Sequence, residues 1–165
     1  MAVAHRHTAA VSALALTGTE SVLEIGCGHG VAVRLVLDRL TSGSITALDR
    51  SEKMIEAVRG SVGPSEKLRL RAEALEDADF GGESFDAILA INVDFNLRLG
   101  TRWPAMLKGL LRPGGRVVLA FDPPPDSSKA HGFAVKSLER LEKAGFAAVL
   151  LPAHGKVTVI RAELR

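Results

Sequence analysis

The sequence predicts an α/β fold, and three observations carry that prediction. An apolar run, Val22-Leu23-Glu24-Ile25, leads into three alternating glycines, Gly26, Gly28 and Gly30. A helical pattern follows, with Val33, Val36, Leu37 and Leu40 at i, i+3, i+4 and i+7. Further on, the run 85–91 is apolar throughout its later part, as a strand covered on both faces is. Strand, tight turn and helix in that order leave the bare loop at a helix N-terminus, where small anionic or polar ligands are held by backbone N–H groups. Glycine is required there because a Cβ would collide with a ligand or forbid a positive φ.

The elements follow in order. An alanine-rich stretch over 5–16 predicts a lead-in helix beside the first strand, 21–25. The first helix after the loop runs to about Leu40, with Gly43 expected as a left-handed cap. Strand two, 45–48, ends at Asp49, about 20 residues beyond the glycines, where an acid can accept hydrogen bonds from ribose hydroxyls. Asp49 could instead cap a helix, although Ser51 is available for that before Met54, Ala57 and Val58. Strand three, 68–72, alternates apolar and basic residues as a strand near a sheet edge does. Asn92 and Asp94 follow strand four, at the end of a sheet where ligands collect. A helix opening near Thr101 tolerates Pro104 in its first turn and repeats Trp103, Met106, Leu107, Leu110 and Leu111. Pro113-Gly114-Gly115 reads as a turn into strand five, and Pro123-Pro124-Pro125 as a stiff segment leaving it. A helix from Ser127 or Ser128 to Gly145 precedes two strands, 146–151 and 156–160, joined by a close connection.

Composition sets bounds on the partners. A chain of 165 residues fits a single domain over 1–165. The net charge of +2 gives no reason to expect nucleic acid or membrane as a partner. The basic run Arg98, Arg102, Lys108, Arg112 and Arg116 reads as a solvated face. Cys27 is the only cysteine, which excludes an intrachain disulfide and a cysteine zinc cluster. His5 and His7 have no third ligand nearby, so no metal is expected, and these two, with His131 and His154, read as surface residues. No run is long enough to span a membrane and no signal-peptide pattern opens the chain, so a cytoplasmic location is expected.

The spacing Gly26-x-Gly28-x-Gly30 after Glu24 is one residue shorter than a dinucleotide loop. With Leu111-Arg112-Pro113-Gly114-Gly115-Arg116-Val117 downstream, it resembles the class I S-adenosylmethionine-dependent methyltransferases over about 21–121. The resemblance implies a Rossmann-like three-layer sandwich with a seven-stranded, mostly parallel sheet and an antiparallel last strand, which the final hairpin fits. It also implies S-adenosylmethionine as cofactor, with S-adenosylhomocysteine as product. Glu24, Gly26, Cys27 and Gly28 would then hold the methionine end, Asp49 the ribose, and Arg50, Met54, Glu73, Ala74 and Asn92 would border the adenosine. The Asn/Asp-Pro-Pro-aromatic signature usual in amino-methylating enzymes that act on adenine or glutamine amides is absent, and no cysteine follows strand four for cytosine C5 chemistry.

A sulfonium methyl is already electrophilic, so the protein's task is alignment and exclusion of water. An acceptor hydroxyl or ammonium would also need a base, for which Asp94 and Asn92 are best placed, with His29 third. A short cap and a proline turn imply an open acceptor site for a small-molecule or protein acceptor, completed by a second subunit or another protein when the acceptor is small. Two alternatives stand beside this reading: a binding-only regulatory or scaffold domain, and a nicotinamide-dependent oxidoreductase.

Overall fold

The computed structural model describes residues 3–122, 129–152 and 155–165. Seven strands form one sheet: β1 (Ser21–Ile25), β2 (Ser44–Asp49), β3 (Leu68–Ala72), β4 (Phe85–Ile91), β5 (Leu111–Phe121), β6 (Phe146–Leu151) and β7 (Thr158–Leu164). Their spatial order is β3-β2-β1-β4-β5-β7-β6. The strands from β3 to β5 pair in parallel, whereas β7 runs antiparallel to both of its neighbours. The chain starts at β1 in the middle and winds outward in both directions. A crevice is therefore expected at the C-terminal ends of β1 and β4, where the winding reverses.

Alternation along the strands divides the core into two layers. On one face Val22, Ile45, Ala87, Leu89 and Val118 pack under α1 (His5–Ala13), α2 (Val31–Leu37) and α3 (Glu52–Val62). On the other, Leu23, Ile25, Phe85, Ile88 and Val117 pack under α4 (Phe95–Leu99), α5 (Trp103–Leu110) and α6 (Lys129–Lys143). Each fully buried side chain of this size contributes about 1.5–3 kcal/mol, which holds the strand ends where the site is built. Asn96 ties the second layer together: its Oδ1 accepts from the buried Trp103 indole at 3.1 Å, and its Nδ2 donates to Ser137 Oγ at 2.8 Å.

Several expectations need correction. Gly43 is not in the left-handed region; it is glycine because a Cβ there would lie 2.3 Å from the Glu20 carbonyl oxygen. Helix α2 ends at Leu37, earlier than Leu40. Pro113-Gly114-Gly115 belongs to the start of β5, where the register against β4 shifts between Phe85 and Ala87. Gly114 takes φ 75° in this irregular segment. Helix α4 was not anticipated, and β7 runs on to Leu164. The basic run is more than a solvated face: Arg98 pairs with Glu76, Arg112 with Asp86 and Arg116 with Glu20, while Lys108 donates to the Ala144 carbonyl. Pro123-Pro124-Pro125, Ser127, Ser128, the His131 side chain and His154 lie outside the described residues. No described helix is long and apolar enough to cross a membrane, and no described His/Cys/Asp/Glu group could hold a metal.

Candidate functional site

The loop after β1 is built by its own backbone. Gly26 and Cys27 both donate N–H bonds to the Leu48 carbonyl, at 2.8 and 2.9 Å, and Gly30 donates to Cys27 at 2.9 Å. Gly26 and Gly28 have φ of 73° and 51°, conformations that L side chains rarely adopt. A Cβ on Gly26 would lie 2.7 Å from Val93, whereas one on Gly28 would meet nothing within 4 Å. Gly26 is therefore fixed by packing, and Gly28 leaves its backbone bare toward open space.

Asp49 closes the other side. Its Oδ2 accepts from Gly28 N–H at 3.0 Å and its Oδ1 from Ser51 N–H at 2.9 Å. The carboxylate at the tip of β2 thus sits directly against the glycine loop. Ser51 caps α3 through the Met54 N–H at 3.4 Å, leaving Asp49 out of that role.

Two cavities adjoin along this ridge, sharing Gly26, Ile91 and Asn92. The first, about 310 Å³, is lined by Asp49, Arg50, Glu73, Ala74, Asn92, Asp94 and Arg98 among others. The second, about 240 Å³, is lined by Arg6, His7, Glu24, Cys27, Gly28, His29 and Asn92 among others. The expected site residues therefore converge on one cleft, except Met54, which is half-buried on α3 and lines neither cavity.

The electrostatics of the second cavity centre on Glu24. It is 3% exposed, its Oε2 has no hydrogen-bond partner among the described residues, and burial followed by the Asp49 carboxylate pushes its carboxyl up to about 8. Burial, then Glu24 and Asp49, push the Cys27 thiol up to about 12, which removes it as a nucleophile. His7 is half-buried rather than a surface residue. Burial, then neighbouring Arg6, lowers its imidazole below the usual value, and its buried Nδ1 has no partner among the described residues.

Both residues expected to supply a base are already engaged. Asp94 caps α4, accepting from Leu97 N–H at 2.8 Å. Asn92, at φ 56°, accepts from Asp122 N–H at 2.8 Å and so clamps the ends of β4 and β5. Asp122 also accepts from Arg6 at 3.0 Å, which draws α1 over the cleft. Glu73 pairs with Arg71, whose guanidinium stacks over Phe80 at 4.8 Å. Sequence reasoning missed Arg6, His7 and Asp122. Asp122 was findable as the polar residue at the end of β5, whereas α1 carries no motif that predicts its position over the cleft.

A central glycine loop, an acid one strand over and a β3-β2-β1-β4-β5-β7-β6 sheet define a nucleoside-binding α/β domain with an antiparallel seventh strand. A family described as "Methyltransferase domain" matches residues 22–115. The chain belongs to that family, with the class I S-adenosylmethionine-dependent methyltransferase fold. The chain is 33% identical over 119 residues to demethylmenaquinone methyltransferase of Tropheryma whipplei (strain Twist), covering 70% of this chain and 47% of that protein. Among solved structures, a SAM-dependent methyltransferase from Aquifex aeolicus superposes with TM-score 0.81 at 14% identity, covering 96% of this chain and 89% of that one. N-methyltransferase NodS from Bradyrhizobium japonicum WM9 gives 0.79 at 18% identity, covering 96% and 94%. The chain spans about half the length of the first curated relatives it matches.

Proposed function

We propose that this chain binds S-adenosylmethionine in the cleft and transfers its methyl group to a small-molecule or protein acceptor. The observation that carries the reading is the 3.0 Å bond from Gly28 N–H to Asp49 Oδ2, which sets a bare loop and a ribose-type acid side by side. The residues fit the cofactor. Glu24 lines the second cavity with a carboxyl suited to a cationic amine, Gly28 offers backbone without a side chain, and Asp49 can exchange its Gly28 bond for a hydroxyl. Gly26, Cys27 and Gly28 would flank the amino-acid tail. Arg50, Glu73, Ala74 and Asn92 would border the base, whereas Met54 lines neither cavity.

When bound, the cofactor supplies an electrophilic methyl carbon. The chain's own task is then to hold the cofactor and the acceptor in line and to keep water from between them. Asn92 lies where the two cavities meet and fixes the rim between them. Asp94 caps α4 through Oδ1, which leaves its Oδ2 to take an acceptor proton. The hold of Asp122 N–H on the Asn92 amide oxygen favours a second reading, in which the domain binds the cofactor and regulates a partner without transfer.

Calorimetry with S-adenosylhomocysteine and with NAD tests the cofactor. We expect binding of the first and none of the second, and the reverse would return the oxidoreductase alternative. Incubation with methyl-labelled cofactor over metabolite and protein pools tests transfer. Label in a product supports the enzyme, and tight binding with no transfer to any pool supports the binding-only reading.

A further inference from the structure

The second cavity contains a carboxyl group that the fold leaves without compensation. Glu24 sits on the central strand with its Oε2 unpartnered among the described residues and the residue 3% exposed. The groups around it come from five elements. Asp49 at the end of β2 adds a second negative charge, and Cys27 in the loop is a neutral thiol. His29 lines the same cavity from the loop and His7 from α1. Among the described residues, Arg6 on α1 is the one guanidinium on the cavity wall, and its charge is taken by Asp122 at the end of β5 at 3.0 Å. On β4 the neighbour is Asn92, which is uncharged. A lone carboxylate in such a place has lost its water and gained no partner, and the neutral form is the stable one.

We propose that Glu24 is a neutral carboxyl in the empty protein and gives its proton to solvent as a cationic amine docks against its carboxyl group, so that ligand uptake releases a proton. The inference rests on the cofactor reading above and goes beyond it, because an ionised Glu24 would bind the same amine with no proton exchanged. The balance is simple: the O–H bond of the carboxyl breaks, the proton goes to buffer, and an ammonium–carboxylate pair remains in the cavity. Burial and the Asp49 charge that push the empty carboxyl up to about 8 are offset by the amine's charge, returning it toward the ordinary range. The consequence is a site whose affinity for an amine-bearing nucleoside rises with pH across the neutral range. The pH dependence is a property of the pocket, because at or below pH 7 a free α-amino group remains largely protonated.

The test is calorimetry with S-adenosylhomocysteine on the intact chain at pH 7, in buffers of different ionisation enthalpy, repeated at pH 6. We expect most of one proton, about 0.8, released per ligand at pH 7 and binding several-fold to about tenfold tighter at pH 7 than at pH 6. Glu24→Gln should abolish both the release and the pH dependence. A carboxyl-carbon NMR titration of the empty wild-type protein gives a second readout that needs no variant. The Glu24 signal should titrate near 8 without ligand and move into the ordinary carboxylate range with it. Binding with fewer than about 0.3 protons released overturns the proposal while leaving the cofactor reading intact. Undiminished release in Glu24→Gln, or a Glu24 signal already ionised at pH 6 without ligand, overturns it too. If the wild-type protein binds no S-adenosylhomocysteine at all, the cofactor reading falls and takes this inference with it.

Discussion

Asp49 and Asp94 are both aspartates at strand ends, and their partners separate what each can do. Asp49 spends one oxygen on the Gly28 N–H and the other on Ser51 N–H, so it organises the loop and faces the cleft at once. Replacing it with alanine removes a charged acceptor, and S-adenosylhomocysteine affinity should fall by about 1.5–3 kcal/mol, read by calorimetry. An unchanged affinity would remove Asp49 from the site. Asp94 spends one oxygen on capping α4. Asparagine caps about as well as aspartate, so Asp94→Asn should leave the thermal midpoint nearly unmoved while deleting any base. If Asp94 accepts the acceptor's proton, labelled-methyl transfer should drop by about 10²–10⁴-fold in that variant. Transfer at the wild-type rate would assign it to the cap alone.

At the scale of elements, the glycines are of two kinds, and only one kind was visible in the spacing. Gly26 and Gly28 stand in a spaced motif at the tip of β1, and both take a positive φ. Gly43 looked like an ordinary helix stop, but in the fold it lets the end of the α2–β2 connection press against the lead into β1, with Ser44 N–H donating to the Glu20 carbonyl at 3.0 Å. Because the obstacle to a Cβ is backbone 2.3 Å away, Gly43→Ala should destabilise the protein by about 3 kcal/mol or more. A shift of the urea midpoint at unchanged slope would measure it. The strands and the glycine loop were legible because they rest on local periodicity and on turn chemistry. The bounds of β1, β3, β4 and β6 match the sequence reading, and Ser51 caps α3 as expected. Helix α4 was missed because its five residues are too short for a helical period, and its stability comes from the Asp94 cap and the stacking of Phe95 on Trp103 at 5.5 Å. Likewise, the Arg6–Asp122 pair joins residues 116 apart in the chain, a contact that no local pattern encodes.

For the whole molecule, two glutamates four residues apart pull stability in opposite directions with pH. Burial pushes Glu20 up, but the N–H groups of Thr17, Gly18 and Glu20 itself, with the Thr17 hydroxyl, outweigh it and bring the carboxyl to about 2. Arg116 adds its own contact at 3.2 Å and also donates to the Leu14 and Ala15 carbonyls, so this knot pins the end of α1 to β5. A folded-state value below the unfolded one means stability that is present above pH 4.5 and lost as pH falls toward 2, on the order of 1–2 kcal/mol after solvent screening. Glu24 has the reverse sign. Its folded value of about 8 lies above the unfolded one, so the folded protein binds the extra proton between pH 4.5 and 8, and stability declines as pH rises through that window. The decline should be on the order of 3 kcal/mol, limited by water reaching the cavity and by coupling to Asp49. Thermal midpoints of the ligand-free protein measured from pH 3 to 9 should therefore peak near pH 4.5, where the Glu20 limb ends and the Glu24 decline begins. Glu20→Gln should flatten the acid limb of that curve and leave the alkaline limb in place. Glu24→Gln should do the opposite, and it should be more stable than the wild type at pH 8. If both variants keep the wild-type limbs, the two carboxyls titrate in the folded chain as they do in the unfolded one, and neither the knot at α1 nor the uncompensated charge at β1 shapes the stability of the domain.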